Sequence, residues 1–412
     1  MSTLLFGHNP AEHLVGFHPA GEGKMRLYFR EGASVRTQEE RFYPFFHLAD
    51  SALIRRFGRK HWLKELSGPG YFRYLCVFEE WGAMWEAIRI AMEESARSGF
   101  SRPATYADLE QVYLVTDPST QFLVQSGYTL FKGLSFDQLH RLQLDIETYT
   151  SGPHHFSNAN IRADRIILIA LSDNHGWEYV IDGRRKGEDE MLTELAAIVA
   201  ERDPDIIEGH NILGFDLPYL LTRSAMLGVT LSLGRDRSVP AVSSRGHRAD
   251  ADDSQVVDIA GRHIIDTLLL VQNYDATKRT LESYSLKYAA RFFGFASESR
   301  TYIEGERIAW YWDNEPQALL PYALDDVRET AALSTHLSGS SFYLSRIVPS
   351  PLGTIIRGGA AAKIEALLLR AYLHARHALP RPEEGTQTSG GYTDVFLTGL
   401  VGPIVHADVE SL

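Results

Sequence analysis

Residues 141–148 read "RLQLDIET", a short run rich in Leu and Ile that carries two acids. We read it as a strand, and it marks a change of texture in the chain. "RIILIALSD" (165–173) is a near-continuous apolar strand, and "WEYVID" (177–182) is a third. "EDEMLTELAAIVAERD" (188–203) then predicts a helix, with Met191, Leu192, Leu195, Ile198 and Val199 on one face. "PDIIEGHN" (204–211) predicts another strand. "FDLPYLLTRSAML" (215–227) predicts a helix that tolerates Pro218 in its first turn. "HIIDTLLL" (263–270) continues the alternation. "TLESYSLKYAARFFG" (280–294) predicts a helix between Thr280 as N-cap and Gly294 as stop. "EPQALLPYALDDVRETAAL" (315–333) predicts a last helix, interrupted or bent at Pro321. Three strands followed by alternating helix and strand imply an α/β layer with a mixed sheet.

Around this layer the sequence is less informative. Residues 1–140 mix strand-like runs, "MRLYF" and "YFRYLCVF", with a helical one in which Met84, Ile88 and Met92 recur at helical spacing. Residues 236–255 are polar and aperiodic, which predicts a long surface loop. Its acids Asp250, Asp252 and Asp253 lack the spacing and terminal Glu of a calcium loop. Beyond residue 339 comes a helix, "AAAKIEALLLRAYLHARHAL", then final strands in "YTDVFLTGL" and "PIVHADVESL".

Length and composition narrow the class. A chain of 412 residues with 44% hydrophobic content suggests two or three globular domains. No apolar run approaches the length of a membrane helix, and the start of the chain lacks the pattern of a signal peptide. The single cysteine, Cys76, cannot form an internal disulfide. Together these fit a soluble, cytoplasmic protein of a reducing compartment with no membrane partner. With 53 acids against 41 Lys and Arg, the formal charge is −12, which by itself speaks against nucleic acid. The objection weakens if acids gather at a metal site. Basic clusters exist at Arg55–Lys60, Arg184–Lys186 and Arg245–Arg248, each readable as a solvated face.

Three acid-bearing segments carry the chemistry. Asp145 and Glu147 are two apart on a strand and therefore share a face. Two carboxylates in an apolar layer need a counter-charge, and a metal ion is the usual one. Asp216 stands at a strand-to-helix turn after Asn211; taken alone it reads as an N-cap. Tyr322 and Asp326 are four apart on a helix and share a face, whereas Asp325 points to solvent. If the sheet gathers these segments, Asp145, Glu147, Asp216 and Asp326 make a four-carboxylate cluster. Such hard oxygen donors suit Mg²⁺ or Mn²⁺ rather than zinc. Two such ions are the arrangement for in-line attack of water on a phosphodiester, with Tyr322 placed to orient that water. His154 and His155 lack a second ligand pair at zinc spacing, and no Gly-x-x-x-x-Gly-Lys loop marks an ATPase.

"DIET" (145–148), "NILGFD" (211–216) and "YALDD" (322–326) resemble, in order and spacing, the three exonuclease motifs of family B DNA polymerases. "GRHIIDTLLL", "TLESYSLKYAARFFG" and "SRIVPSPLGTIIRGGAAAKIEALLL" resemble the connecting segments. "SGGYTDVF" is similar to the Gly-Gly element between the two activities of that family. The resemblance covers nearly the whole chain and implies a ribonuclease H-like exonuclease domain at 141–338. An α+β N-terminal domain at 1–140 would precede it, and a connecting helix with the start of a polymerase palm at 339–412 would follow. It implies 3′→5′ proofreading on single-stranded DNA with two Mg²⁺ or Mn²⁺ ions held by Asp145, Glu147, Asp216 and Asp326. Tyr322 would position the water, and Asn211 and Phe215 would hold the frayed 3′ end. "HADVESL" (406–412) resembles the opening of the first palm motif, with Asp408 as a palm ligand. On that reading the chain stops inside the motif and needs the rest of a polymerase as partner. Residues from about 390 onward would then be poorly packed, and polymerase activity is not expected of this chain alone. A self-standing exonuclease and a catalytically silent DNA-binding module are the alternatives.

Overall fold

The computed structural model describes residues 6–97, 103–152, 156–244 and 255–381, together with 399, 402, 403 and 405. Asp408, His154, His155, the acids at 250, 252 and 253, and all but three residues of the stretches read as final strands lie outside the described residues.

The N-terminal part builds two antiparallel sheets. β1 (Leu14–Pro19), β2 (Lys24–Glu31) and β3 (Ser34–Arg41) form a meander. β4 (Phe45–Leu48), β5 (His61–Glu65), β6 (Tyr74–Phe78) and, after helix α1 (Trp81–Arg97), β7 (Val112–Tyr113) form a sheet of order β5-β6-β4-β7. Met84 and Ile88 of α1 are buried in one core with Cys76, as the helical spacing predicts. Helix α2 (Pro118–Ser126) starts on Asp117, whose carboxylate accepts from the Ser119 and Thr120 amides, and ends at Gly127 with φ +71°.

The second part is a five-stranded mixed sheet. β8 (Arg141–Thr148), β9 (Ile166–Asp173) and β10 (Glu178–Asp182) form an antiparallel run, β9 pairing with both of the others. Helix α3 (Glu188–Arg202) leads to β11 (Ile206–Gly209), and α4 (Asp216–Leu227) follows. β12 (Ala241–Ser244) and β13 (Gln255–Asp258) pair as a hairpin, so the stretch expected to be loop throughout carries two short strands at its ends. β14 (His263–Asp266) completes the order β10-β9-β8-β11-β14, with β11 parallel to both β8 and β14. Thus β8 is the central strand.

Side-chain alternation then divides β8 between two layers. Leu142, Leu144 and Ile146 pack with Met191, Leu192 and Leu195 of α3 and Leu217 and Leu220 of α4. Each fully buried aliphatic side chain there contributes about 1.5–3 kcal/mol. Asp145 and Glu147 face the other layer.

That layer is made by the later helices. "HIIDTLLL" is strand only to Asp266. Its carboxylate accepts the Leu268 amide and starts α5 (Thr267–Lys278). α6 runs Leu286–Phe292 with Ser285 as N-cap, not Thr280. The Thr280 and Leu281 amides instead donate to Asp275 Oδ1, at 2.6 and 3.0 Å, which bends the chain before the helix. Gly294 does follow the helix, at φ +75°. α7 (Ile308–Asn314) precedes α8 (Leu319–Leu337), which lies across β8 and β9. Pro321 sits in the first turn of α8, where no amide partner is required, so the helix is not interrupted. Leu319, Tyr322, Ala323 and Val327 of α8 pack on Ile167, Leu168 and Ala170 of β9. The chain continues through α9 (Gly339–Ser345), α10 (Leu352–Arg357) and α11 (Ala360–Ala375).

The acid site between β8 and α8

Because Asp145 and Glu147 face α8, and Asp326 is on the buried side of that helix, three carboxylates meet. Oxygens of Asp145, Glu147 and Asp326 all lie within 4.8 Å of one another. Glu147 and Asp326 are buried and Asp145 is half-buried. Asp325 is not fully in solvent: it pairs with Arg328 at 3.2 Å and accepts the Thr301 amide at 3.3 Å.

Asp216 comes close without joining that group of three. It is the first residue of α4, with Phe215 as N-cap, and is not a cap itself. Its Oδ1 accepts the backbone N–H of Ile146, between the two β8 acids, at 3.1 Å. This bond ties the start of α4 to the central strand.

The electrostatics show a deficit of cations. Burial, then Asp326, Glu147 and Asp216, push the Asp145 carboxyl well above its ordinary range. Burial and then Asp326 do the same to Glu147. Burial raises Asp216 to about 7, against the Ile146 amide, which favours its ionised form. Asp326 is raised by burial, with Arg300 and Lys287 pulling the other way. Neither Asp145 nor Glu147 has a hydrogen-bonded cation among the described residues. Four acids thus lean on two cations, and Arg300 is shared with Glu329 as well. The donor set, oxygen only, fits a hard divalent ion.

A second group puts this in relief. His140, Asp173 and His175 also lie close enough to share an ion. There, however, Asp173 Oδ2 takes His140 at 3.1 Å and Arg202 at 3.0 Å, while Oδ1 takes the His175 and Trp177 amides. Burial raises the Asp173 carboxyl, but these hydrogen bonds outweigh it and hold the group low. That carboxylate already has its counter-charge, and we read the group as a structural network.

Tyr322, on the buried face of α8, is enclosed, and its hydroxyl accepts from Lys287 Nζ. Asn211 is exposed with φ +63°, and Phe215 is half-buried against Tyr219 at 5.3 Å between ring centroids. The turn between them needs Gly214: a Cβ there would stand 2.4 Å from Asn211 Oδ1. Asp266 holds the same turn, accepting the Asn211 and Leu213 amides at 2.8 and 3.2 Å. Arg300, Lys287 and Asp266 were not singled out from the sequence. The one signal for the two cations was the unbalanced charge of the four acids.

The cluster at Arg245–Arg248 lies outside the described residues, and the other two are largely spent on neighbours. Arg59 pairs with Glu80 and Glu86, Lys60 with Glu79, Arg184 with Asp182, and Lys186 with Glu194. Among the described residues no helix is long and apolar enough to cross a membrane.

Known proteins share this sequence and architecture. The family model described as the exonuclease domain of DNA polymerase family B matches residues 183–289, a span that includes Asn211 to Asp216. DNA polymerase 1 of Pyrococcus abyssi is 29% identical over 310 residues, covering 71% of this chain and 38% of the relative. A DNA polymerase of Thermococcus litoralis is 28% identical over 313 residues, covering 71% of this chain and 17% of the relative. The chain therefore spans well under half the length of these relatives. The family B DNA polymerase of the hyperthermophilic archaeon Pyrobaculum calidifontis shares the fold, with a TM-score of 0.69 at 22% identity over 90% of this chain and 51% of that one. The order of the three acid segments, the mixed sheet that gathers them and these likenesses agree: the chain is similar in sequence and fold to family B DNA polymerases, and its residues 183–289 match their exonuclease domain.

Proposed function

We propose that the site between β8 and α8 removes nucleotides from the 3′ end of single-stranded DNA, the proofreading reaction of a DNA polymerase. The observation that carries this reading is the convergence of Asp145, Glu147 and Asp326 in a buried site with too few cations. Asp145, Glu147, Asp326 and Asp216 are the residues that would hold two Mg²⁺ or Mn²⁺ ions. Bound there, such ions supply Lewis-acid stabilisation of the phosphodiester and lower the pKa of water. Tyr322 would orient the attacking water through its hydroxyl. Asn211 and Phe215 would hold the unpaired end, with Phe215 offering a base a face to stack on regardless of its identity. Arg300 holds the Asp326 carboxylate in place and favours its ionised form against the effect of burial.

The same reading divides the chain into an N-terminal domain at 1–140, the exonuclease domain at 141–338 and a connecting segment from 339. It implies DNA and the remaining polymerase domains as partners, at work in the cytoplasm or on the nucleoid. The test is degradation of 3′-labelled single-stranded DNA by the purified protein with Mg²⁺. Shortening from the 3′ end that Asp145→Ala abolishes is the expected result. Intact DNA with the wild-type protein would sink the reading, and unchanged degradation by Asp145→Ala would sink the assignment of the ligands.

A further inference from the structure

Arg300 divides between two acids an edge that, in other arginines of the protein, serves one. Its Nε donates to Glu329 Oε1 at 2.6 Å and its Nη2 to Asp326 Oδ1, while Nη1 donates to the Thr301 carbonyl at 2.6 Å. In Arg223 the same Nε and Nη2 meet both oxygens of Glu188, at 2.8 and 2.5 Å. In Arg328 they meet both oxygens of Glu178, at 2.7 and 2.6 Å. That two-pronged pairing is the geometry a guanidinium and a carboxylate fit best.

Glu329 receives only half of it. The residue is 4% exposed, and its Oε2 is buried with no hydrogen-bond partner among the described residues. A buried carboxylate oxygen without a donor is unfavourable. Arg300 can supply that donor with the prong now on Asp326, by pairing with Glu329 as Arg223 pairs with Glu188. The two acids differ in what else they can bind. Asp326 has an oxygen within 4.8 Å of Asp145 and Glu147, whereas Glu329 is not in that group. A divalent cation and a guanidinium on one carboxylate repel each other, and burial leaves that repulsion weakly screened. Glu329 Oε2 offers Nη2 a second place with a counter-charge already present.

We propose that Glu329 is a positioning residue of the acid site that takes over both prongs of Arg300 when Asp326 binds a divalent cation. Asp326 then exchanges a hydrogen bond for a metal, and no buried charge is left alone. The proposal rests on the reading of Asp326 as a metal ligand. It gives Glu329 no contact with metal or DNA; its effect passes through Arg300.

The test compares crystals of the 412-residue protein grown in EDTA and in Mn²⁺, beside Mn²⁺ titrations without DNA followed by electron paramagnetic resonance. In EDTA, Nη2 is expected on Asp326 Oδ1. With Mn²⁺ bound by Asp326, it is expected on Glu329 Oε2. Glu329→Gln, which keeps an acceptor for Nε and loses the charged second one, is expected to weaken Mn²⁺ binding about tenfold. In the Arg300→Met background the same substitution is expected to cost less than about twofold, because the two residues act as one unit. Mn²⁺ bound by Asp326 with Nη2 still on Oδ1 overturns the proposal alone. So does an equal loss in the Arg300→Met background, which would mean that the Glu329 charge acts on the metal through space. Should Arg300→Met not fold, the crystal comparison decides by itself. A wild type that binds no Mn²⁺ at Asp326 overturns the metal reading of that residue and this proposal with it.

Discussion

Arg300 is fully enclosed against Asp326: its Nη2 donates to the aspartate Oδ1 while its Nε donates to Glu329 at 2.6 Å. One guanidinium therefore serves two acids on successive turns of α8. The α8 side of the acid site has one hydrogen-bonded cation shared between two acids, and the β8 side, with Asp145 and Glu147, has none among the described residues.

Removing that cation should be costly. Arg300→Met leaves two buried carboxylates without their partner, a change of about 3 kcal/mol or more. Its urea midpoint is expected to fall accordingly, with Arg300→Lys falling less because the charge survives and the two-pronged geometry does not. Equal midpoints for wild type and Arg300→Met would show that the pair contributes nothing.

Asp216 should trade stability for function. Its folded-state pKa of about 7 stands above the ordinary aspartate value of 3.8. The folded state thus holds the proton more tightly than the unfolded chain, and stability from this group is lost as pH rises from about 4 to about 7. In EDTA, Asp216→Asn is expected to remove that loss and to be more stable than wild type by about 2 kcal/mol at neutral pH. Asn retains an oxygen for the Ile146 amide. The same variant is expected to lose hydrolysis, and Mg²⁺ should narrow the stability gap by binding only the wild type. Thermal unfolding with EDTA and with Mg²⁺ measures both effects.

His47 should give the opposite pH dependence. Its ring is buried in β4, neither nitrogen has a hydrogen-bond partner among the described residues, and burial pushes its pKa down to about 3. Below about 6.5 the unfolded imidazole takes a proton that the folded one refuses until about 3, so stability falls as pH drops through that window. His47→Leu is expected to flatten this acid limb. At neutral pH it should be neutral or stabilising by about 1 kcal/mol, since it removes polar atoms with no partner. Urea midpoints across the window decide it; parallel curves for the two proteins would count against the claim.

Asp205 joins the two parts of the chain. It takes both Arg30 prongs, at 3.1 and 2.6 Å, from β2, then Arg235 at 2.7 Å and the His140 amide at 3.0 Å. Asp205→Ala leaves the buried Arg30 without its carboxylate and Arg235 with Asp203 alone, and about 3 kcal/mol of destabilisation is expected. Calorimetry should show an earlier transition than wild type.

How much of this was legible follows from the range of each interaction. The pattern of "RLQLDIET" and the strands after it was local, and it led to the mixed sheet and to the shared face of Asp145 and Glu147. That α8 covers this face could be read only by resemblance, since β8 and α8 are far apart in sequence. Asp216 misleads when read locally: aspartate before a helix suggests a cap, yet its carboxylate turns to the Ile146 amide. Thr280 misleads similarly, because Asp275 takes the amides that would have begun a helix there. Arg300 and Lys287 carried no local signal, since their partners lie 26 and 35 residues away. A lone basic residue in a polar segment looks the same whether it faces water or a buried acid.

The support of the Asn211–Phe215 turn has a consequence for how such a site can change. Its amides hang on Asp266, at the end of β14, whereas the acids proposed for hydrolysis sit on β8, α4 and α8. The turn nevertheless runs straight into Asp216, and Asp266 also raises the Asp216 carboxyl. On the proposed function, a substitution at Asp266 would therefore change the hold on a strand end and the charge of one hydrolytic acid together.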